Sequence, residues 1–187
     1  MSRVTAAPFP RARDSRPGYD PDEVDEFLAE ARAAYAAAAD GESPLSSSDL
    51  RNTAFSLRKG GYSAPHVDAA LERLEDAFAV REREAAVRTR GEKAWLEEAR
   101  ASAQVIVNRL ARPSRERFDR VGSVTTGYNI RQVDAFADRI SGYFRDGSVL
   151  SADDVRTVSF EPQRGGYSEA QVDLVLDSVV DVMLAVR

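Results

Sequence analysis

The 187-residue chain has no cysteine, one histidine (His66), one tryptophan (Trp95) and two lysines (Lys59 and Lys93) against 24 arginines. Without cysteine there is no disulfide and no thiolate metal site, which fits a reducing cytoplasm. A single histidine cannot build an imidazole metal site or a catalytic pair, and at the third position of a predicted helix its expected role is capping. No run of about 18 apolar residues is present, so no transmembrane span is expected. Met1 to Pro10 lacks the apolar core of a signal peptide. Glycine-rich phosphate loops, His-Glu-x-x-His and Ser-His-Asp spacings are missing too. These absences together lead us to expect no enzyme, no cofactor, no metal and no small-molecule substrate.

Charge excludes less. The net charge of −5 argues against general nucleic-acid affinity. It is spread unevenly: Arg81 to Arg120 holds 11 Lys/Arg against 7 Asp/Glu, so the rest of the chain is more acidic than the whole. A solvated helix face accounts for such a stretch, and no nucleic-acid partner is expected. The few lysines and many alanines suit a GC-rich genome.

What the chain does contain is one pattern four times. Gly-Tyr, four residues, then Val-Asp occurs as Gly18, Tyr19, Val24, Asp25; Gly61, Tyr62, Val67, Asp68; Gly127, Tyr128, Val133, Asp134; and Gly166, Tyr167, Val172, Asp173. A phenylalanine precedes each (Phe9, Phe55, Phe118, Phe160). Constant spacing calls for a repeat reading before any other. Each copy has the marks of a helix start. Asp20, Pro21 and Glu23 form a capping box with proline at the first helical position, and Asn129 with Gln132 and Ser168 with Gln171 repeat the box. Ser63 with His66 is a weaker version. Tyr and Val occupy the two positions of a hydrophobic staple, and the Asp suits the helix dipole. Gly before Tyr is expected to supply a positive φ. Each cap contributes about 1 kcal/mol, and on this reading the motif residues are structural.

Helices are expected from Pro21 to about Ala39, from Ser46 to about Phe55, from Ser63 onward, through Leu96 to Leu110, from Ile130 to Phe144, from Ala152 to Ser159, and from Glu169 to the end. Val67, Leu71, Leu74 and Phe78 form a coiled-coil-like seam that changes phase near Gly91, leaving either a break or one long helix there. Phe118 to Phe136 matches Phe9 to Phe27 at an offset of 109, and Leu150 to Leu176 matches Leu45 to Leu71 at an offset of 105. The fold class is therefore all-α: a tandem repeat of long–short–long helical units with a central connecting helix, coiled-coil-like packing and no predicted strand. The divisions are a flexible lead (1–17), a first repeat pair (18–82), a charged helical connector (83–117) and a second repeat pair (118–187).

Residues 9–28, with Gly18-Tyr19-Asp20-Pro21-Asp22-Glu23-Val24-Asp25-Glu26-Phe27-Leu28, resemble the N-terminal domain of the bacterial DivIVA family. Leu150 to Asp173 is also similar to it, with Leu150, Asp154, Val155 and Arg156 ahead of Phe160. Actinobacterial proteins with repeated DivIVA-type domains are the nearest comparison. The resemblance implies a non-enzymatic scaffold in cell division or polar growth, built on parallel paired helices with crossed loops. It also implies that an exposed hydrophobic residue and a basic residue of those loops touch the membrane. Arg16, Leu57, Arg58, Lys59, Val121 and Arg164 are the corresponding membrane or partner contacts, with Arg11, Arg13 and Val124 beside them. Members of that family place a basic residue directly before Gly-Tyr, whereas this chain has Pro17, Gly60, Thr126 and Gly165 there, with a basic residue one place earlier in three copies (Arg16, Lys59 and Arg164) and Thr125 in the other. No long coiled coil follows the fourth copy, so filament assembly is not expected. Copies one and two would pair within the chain, as would three and four. Partners would be division or growth proteins, a second copy of the chain and an anionic membrane surface; the location would be the cytoplasm or the inner membrane face at a pole or septum. A cytosolic adaptor that binds no membrane is the alternative.

Overall fold

The computed structural model describes residues 8–13, 16–37 and 43–186. Helices dominate these residues, as the periodicity predicts, and the chain divides into two units, Met1–Glu84 and Ala85–Arg187. The first holds β1 (Pro17–Tyr19), α1 (Pro21–Ala37), α2 (Ser47–Arg51), β2 (Leu57–Lys59) and most of α3 (Ala64–Arg90). The second holds α4 (Glu92–Leu110), β3 (Thr126–Tyr128), α5 (Ile130–Asp146), α6 (Ala152–Arg156), β4 (Pro162–Arg164) and α7 (Glu169–Ala185). The strands correct the expectation that there would be none. Each is three residues long and holds glycine, proline or arginine rather than an alternating apolar pattern, so nothing local announces it. Pairing between distant loops makes them.

In the first unit α1 buries Val24, Leu28, Ala31 and Ala34. Val24 and Leu28 cluster with Tyr62 and Val67 at the start of α3, and Ala31 and Ala34 cluster with Leu50 and Phe78 further along. Contacts therefore advance in the same direction on both helices, so α1 and α3 run parallel. The expected end of the first helix, Ala38 to Gly41, lies outside the described residues. The α2 cap forms as expected: the Ser46 side chain accepts from the Asp49 N–H, and Asp49 accepts from the Ser46 N–H. The Ser46 hydroxyl also donates to the Asp49 carboxylate, and this bond, with the one from the Ser46 N–H, holds that carboxyl below its usual range. The helix stops short of Phe55 because Asn52 Nδ2 and Thr53 Oγ1 donate to the carbonyls of Ser48 and Asp49. Likewise α6 stops before Ser159, with Thr157 Oγ1 donating to the Asp153 carbonyl.

Two acids on one face of α3 hold α2 in place. Glu82 accepts from the Ser47 N–H and hydroxyl at 2.6 and 2.7 Å. Glu75, 2% exposed, pairs with Arg51 at 2.6 Å. Beyond them Arg81 lies over the Tyr35 ring and donates to the Tyr35 carbonyl. The change of phase near Gly91 is a break: Gly91 takes φ 85° between α3 and α4.

In the second unit α7 lies against α4 and α6, and α4 also against α5. Trp95 Nε1, near the start of α4, donates to the carbonyl of Ala185 at the end of α7 at 3.0 Å, so these two helices are antiparallel. The apolar last helix buries Val172, Val179, Val180, Val182, Met183 and Leu184. Gly147 closes α5 in the left-handed conformation at φ 67°.

Because Glu75 is buried with its charge answered by Arg51, Glu75→Ala should destabilise the first unit by about 3–5 kcal/mol. Joint replacement by Arg51→Met and Glu75→Leu should recover most of that loss. Hydrogen exchange of the α2 and α3 amides reads both, and equal protection in Glu75→Ala and the native chain would refute the assignment.

Candidate interaction site at the crossed loops

Each unit contains one junction where two helix starts trade their preceding loops. In the first, β1 and β2 pair antiparallel, with Gly18 opposite Arg58. Tyr19 and Tyr62 exchange both backbone bonds, at 2.9 and 2.8 Å. In the second, β3 pairs with β4, and Tyr128 and Tyr167 exchange bonds at 3.0 Å each.

The upstream phenylalanines cross over. Phe9 stands edge-on to Tyr62, and Phe55 packs on Tyr19. Phe118 stands edge-on to Tyr167, and Phe160 packs on Tyr128. The residue after each phenylalanine accepts from the N-cap N–H of the opposite helix: Ser63 to Pro10, Asp20 to Ser56, Ser168 to Asp119 and Asn129 to Glu161, all at 2.8–2.9 Å. These bonds overturn the expected capping boxes. Glu23 accepts from the Ser56 N–H at 2.7 Å, Gln132 from the Glu161 N–H at 2.7 Å and Gln171 from the Asp119 N–H at 3.0 Å. The third helical side chain thus serves the other loop and not its own N-cap. Pro10 has no N–H to offer, and there the third residue is His66, whose Nδ1 meets Ser63 Oγ instead.

The glycine expectation is also corrected. Gly18, Gly61, Gly127 and Gly166 do not have positive φ. A Cβ on any of them would overlap the carbonyl oxygen of a tyrosine across the strand pair, so glycine is required for close approach. The left-handed turns fall one residue earlier, at Gly60 (φ 72°) and Gly165 (φ 61°). Arg11 and Arg120 donate to the carbonyls of these two turn glycines.

The four motif aspartates do more than face a helix dipole. Each bonds the motif tyrosine of the opposite copy: Tyr62 to Asp25 at 3.1 Å, Tyr167 to Asp134 at 3.0 Å, Tyr128 to Asp173 at 3.5 Å, and Tyr19 to Asp68. Burial raises the Asp68 and Asp173 carboxyls and all four phenols. Asp134, 5% exposed, also receives Ser114 Oγ and the Arg115 N–H, while Arg117 donates to its carbonyl. Arg117 and Ser114 carried no signal in the sequence, since no repeat aligns with them.

The loop tips lie beyond these locks. Leu57 is 65% exposed, and Arg58, Lys59, Arg16 and Arg164 are exposed with it. Arg58 is shared between Asp20 and Asp22 at 3.2 and 3.3 Å; the Asp22 N–H, and after it Arg58, hold the Asp20 carboxyl below its usual range. Val121 is half-buried against Gly127, whereas Val124 is 87% exposed. Arg13 is exposed. Phe9 to Ala12, inside the stretch expected as a lead, pack into the first junction, where Ala12 donates to Gly61. Among the described residues no cluster of three or more acidic or histidine side chains could hold a metal, and no helix is long and apolar enough to cross a membrane. No protein-family model, curated protein or solved structure matches the chain.

Two measurements test the junction. Gly60→Ala, with open space around the added methyl, should cost about 1–2 kcal/mol for its positive φ alone. Gly61→Ala forces two backbones apart and should unfold the first junction in thermal melts; similar losses for both variants would contradict the close-approach account. The Tyr167 phenol, fully buried, is pushed up to about 12 by burial and by Asp134. A phenol raised in the fold contributes stability that is complete below about pH 10 and is lost as pH rises towards 12. Denaturation of the native chain should therefore steepen with pH over that window, and Tyr167→Phe should flatten the slope.

Proposed function

We propose that the chain is a non-enzymatic helical scaffold or adaptor of the DivIVA-repeat type, with two intrachain pseudo-dimers that present their loop tips to other molecules. One observation carries the reading. Phenylalanine, N-cap and tyrosine contacts are exchanged reciprocally between copies one and two, and again between three and four. A tandem repeat whose copies complete one another needs no second chain to form the crossing, so its tips are held in place in a single polypeptide. The family resemblance supports a setting in bacterial cell division or polar growth, with protein partners and an anionic membrane surface. Leu57 opens an exposed strand that continues through Arg58 to Lys59, and this is the tip best suited to an interface of lipid and water.

A second reading, a cytosolic adaptor without lipid binding, is favoured by the engagement of Arg58 with Asp20 and Asp22, which neutralises one tip cation. Sedimentation with vesicles rich in anionic phospholipid separates the two. On the membrane reading the native chain co-sediments, and Lys59→Ala weakens binding by about 1 kcal/mol, or about fivefold. Leu57→Asp added to it should abolish binding while the helical circular dichroism is unchanged. No sedimentation at any lipid charge rejects the membrane reading and leaves the adaptor, whose location a fluorescent fusion would report.

A further inference from the structure

The two copies that meet in each junction are not interchangeable. From the upstream phenylalanine the motif glycine lies nine residues on in copies one and three (Gly18, Gly127). In copies two and four (Gly61, Gly166) it lies six on. A long loop runs as a strand into its tyrosine, β1 ending at Tyr19 and β3 at Tyr128. Where Pro17 or Thr126 opens that strand, the short copies have Gly60 or Gly165, at φ 72° and 61°. Strand backbone requires negative φ, so a short copy makes a turn at that place. Its own strand, β2 or β4, comes before the turn and pairs with the strand of the long copy. The long loop in return occupies the turn: Arg11 donates to the Gly60 carbonyl at 3.1 Å and Arg120 to that of Gly165 at 2.9 Å. The next carbonyls receive long-loop N–H groups, Ala12 to Gly61 at 2.8 Å and Val121 to Gly166 at 2.9 Å.

We propose that each copy accepts as partner only a copy of the other loop length, so the crossing surfaces are complementary without being self-complementary. Two long copies would bring two strands and two arginines, with no left-handed glycine to receive either arginine. Two short copies would bring two turns and no strand entering a tyrosine. A two-fold pair of like copies, from one chain or from two, is thereby excluded. Loop length alone would still let copy one pair with copy four and copy three with copy two. The third helical residues exclude that exchange. Gln171 accepts from the Asp119 N–H at 3.0 Å and donates to its carboxylate at 2.7 Å. Opposite Pro10 it would find neither group. Asp119 opposite His66 would likewise lose the amide that answers it. Pro10 with His66 is therefore the address that joins copies one and two. This selection resides in the junctions and is independent of whether the tips touch a membrane.

Full-length chains with exchanged loops test both parts. Placing residues 10–17 where 56–60 stand, and 56–60 where 10–17 stand, keeps one long loop opposite one short loop. Two further chains carry one loop in both copies, either 10–17 twice or 56–60 twice. Hydrogen exchange of the Tyr19 and Tyr62 amides, numbered as in the native chain, reports the first junction. The Tyr128 and Tyr167 amides of the unaltered second junction are the reference in the same sample. The exchanged chain should protect the first pair, and both like-loop chains should lose that protection. Adding Glu23→His with His66→Glu to the exchanged chain restores the address and should slow exchange by about a further tenfold, as expected for one charged hydrogen bond. Protection in either like-loop chain overturns the loop rule, as does its absence from the exchanged chain. No slowing when the third residues are exchanged overturns the address.

Discussion

Everything in each unit depends on two peptide groups meeting face to face: Tyr19 with Tyr62, and Tyr128 with Tyr167. The approach is close enough that the neighbouring residue on each strand can carry no side chain. Once the backbones are in register, the tyrosine rings are directed at the opposite helix, where an aspartate one turn in receives each hydroxyl. The phenylalanines follow, each covering the ring it has crossed to. Parallel packing of α1 on α3 is then a consequence, because both helices leave the same junction. Short strands that would be marginal alone are sustained by this surrounding cluster.

Much of this was legible, and the parts that were not share a cause. Helix positions followed from apolar spacing, and the starts followed from Asp20, Ser46, Asn129 and Ser168. Spacing alone could not say which chain segment a polar side chain would serve. Glu23, Gln132 and Gln171 stand where a capping box needs them, and a box is the economical local solution. The loop opposite offers an N–H that no helix or strand bond uses, and the side chain satisfies that one instead. One clue was present in the residues. The only copy without Glu or Gln at that position is the one whose opposite loop has Pro10, which has no N–H to satisfy. Strands were missed for the same reason: a pairing between loops separated by some forty residues leaves no local pattern.

The two units reinforce a common junction differently. The first anchors its short helix with a buried ion pair, Arg51 to Glu75. At the matching positions, offset by 105, the second has Arg156 and Val180, and the valine is fully buried in α7. Conversely, Asp134 is enclosed by Ser114, Arg115 and Tyr167. Its counterpart Asp25 is exposed. Polar satisfaction has been moved from the helix interface in one unit to the junction in the other, which is why α7 is so much more apolar than α3.

Those differences bear on where function can reside. Residues of the repeated pattern are consumed in holding the crossing: glycine by close approach, tyrosine and aspartate by each other, phenylalanine by the opposite ring. None of them is free to act on anything else without opening the junction. Within the loops, the crossing leaves the tips unspecified, and there the copies differ. Leu57-Arg58-Lys59 in the first unit becomes Pro162-Gln163-Arg164 in the second, and Gln163 turns inward to accept from the Ile130 N–H. The second tip thus spends on its own helix start a side chain that the first keeps at the surface. The two tips therefore differ in chemistry although the junctions beneath them are built alike.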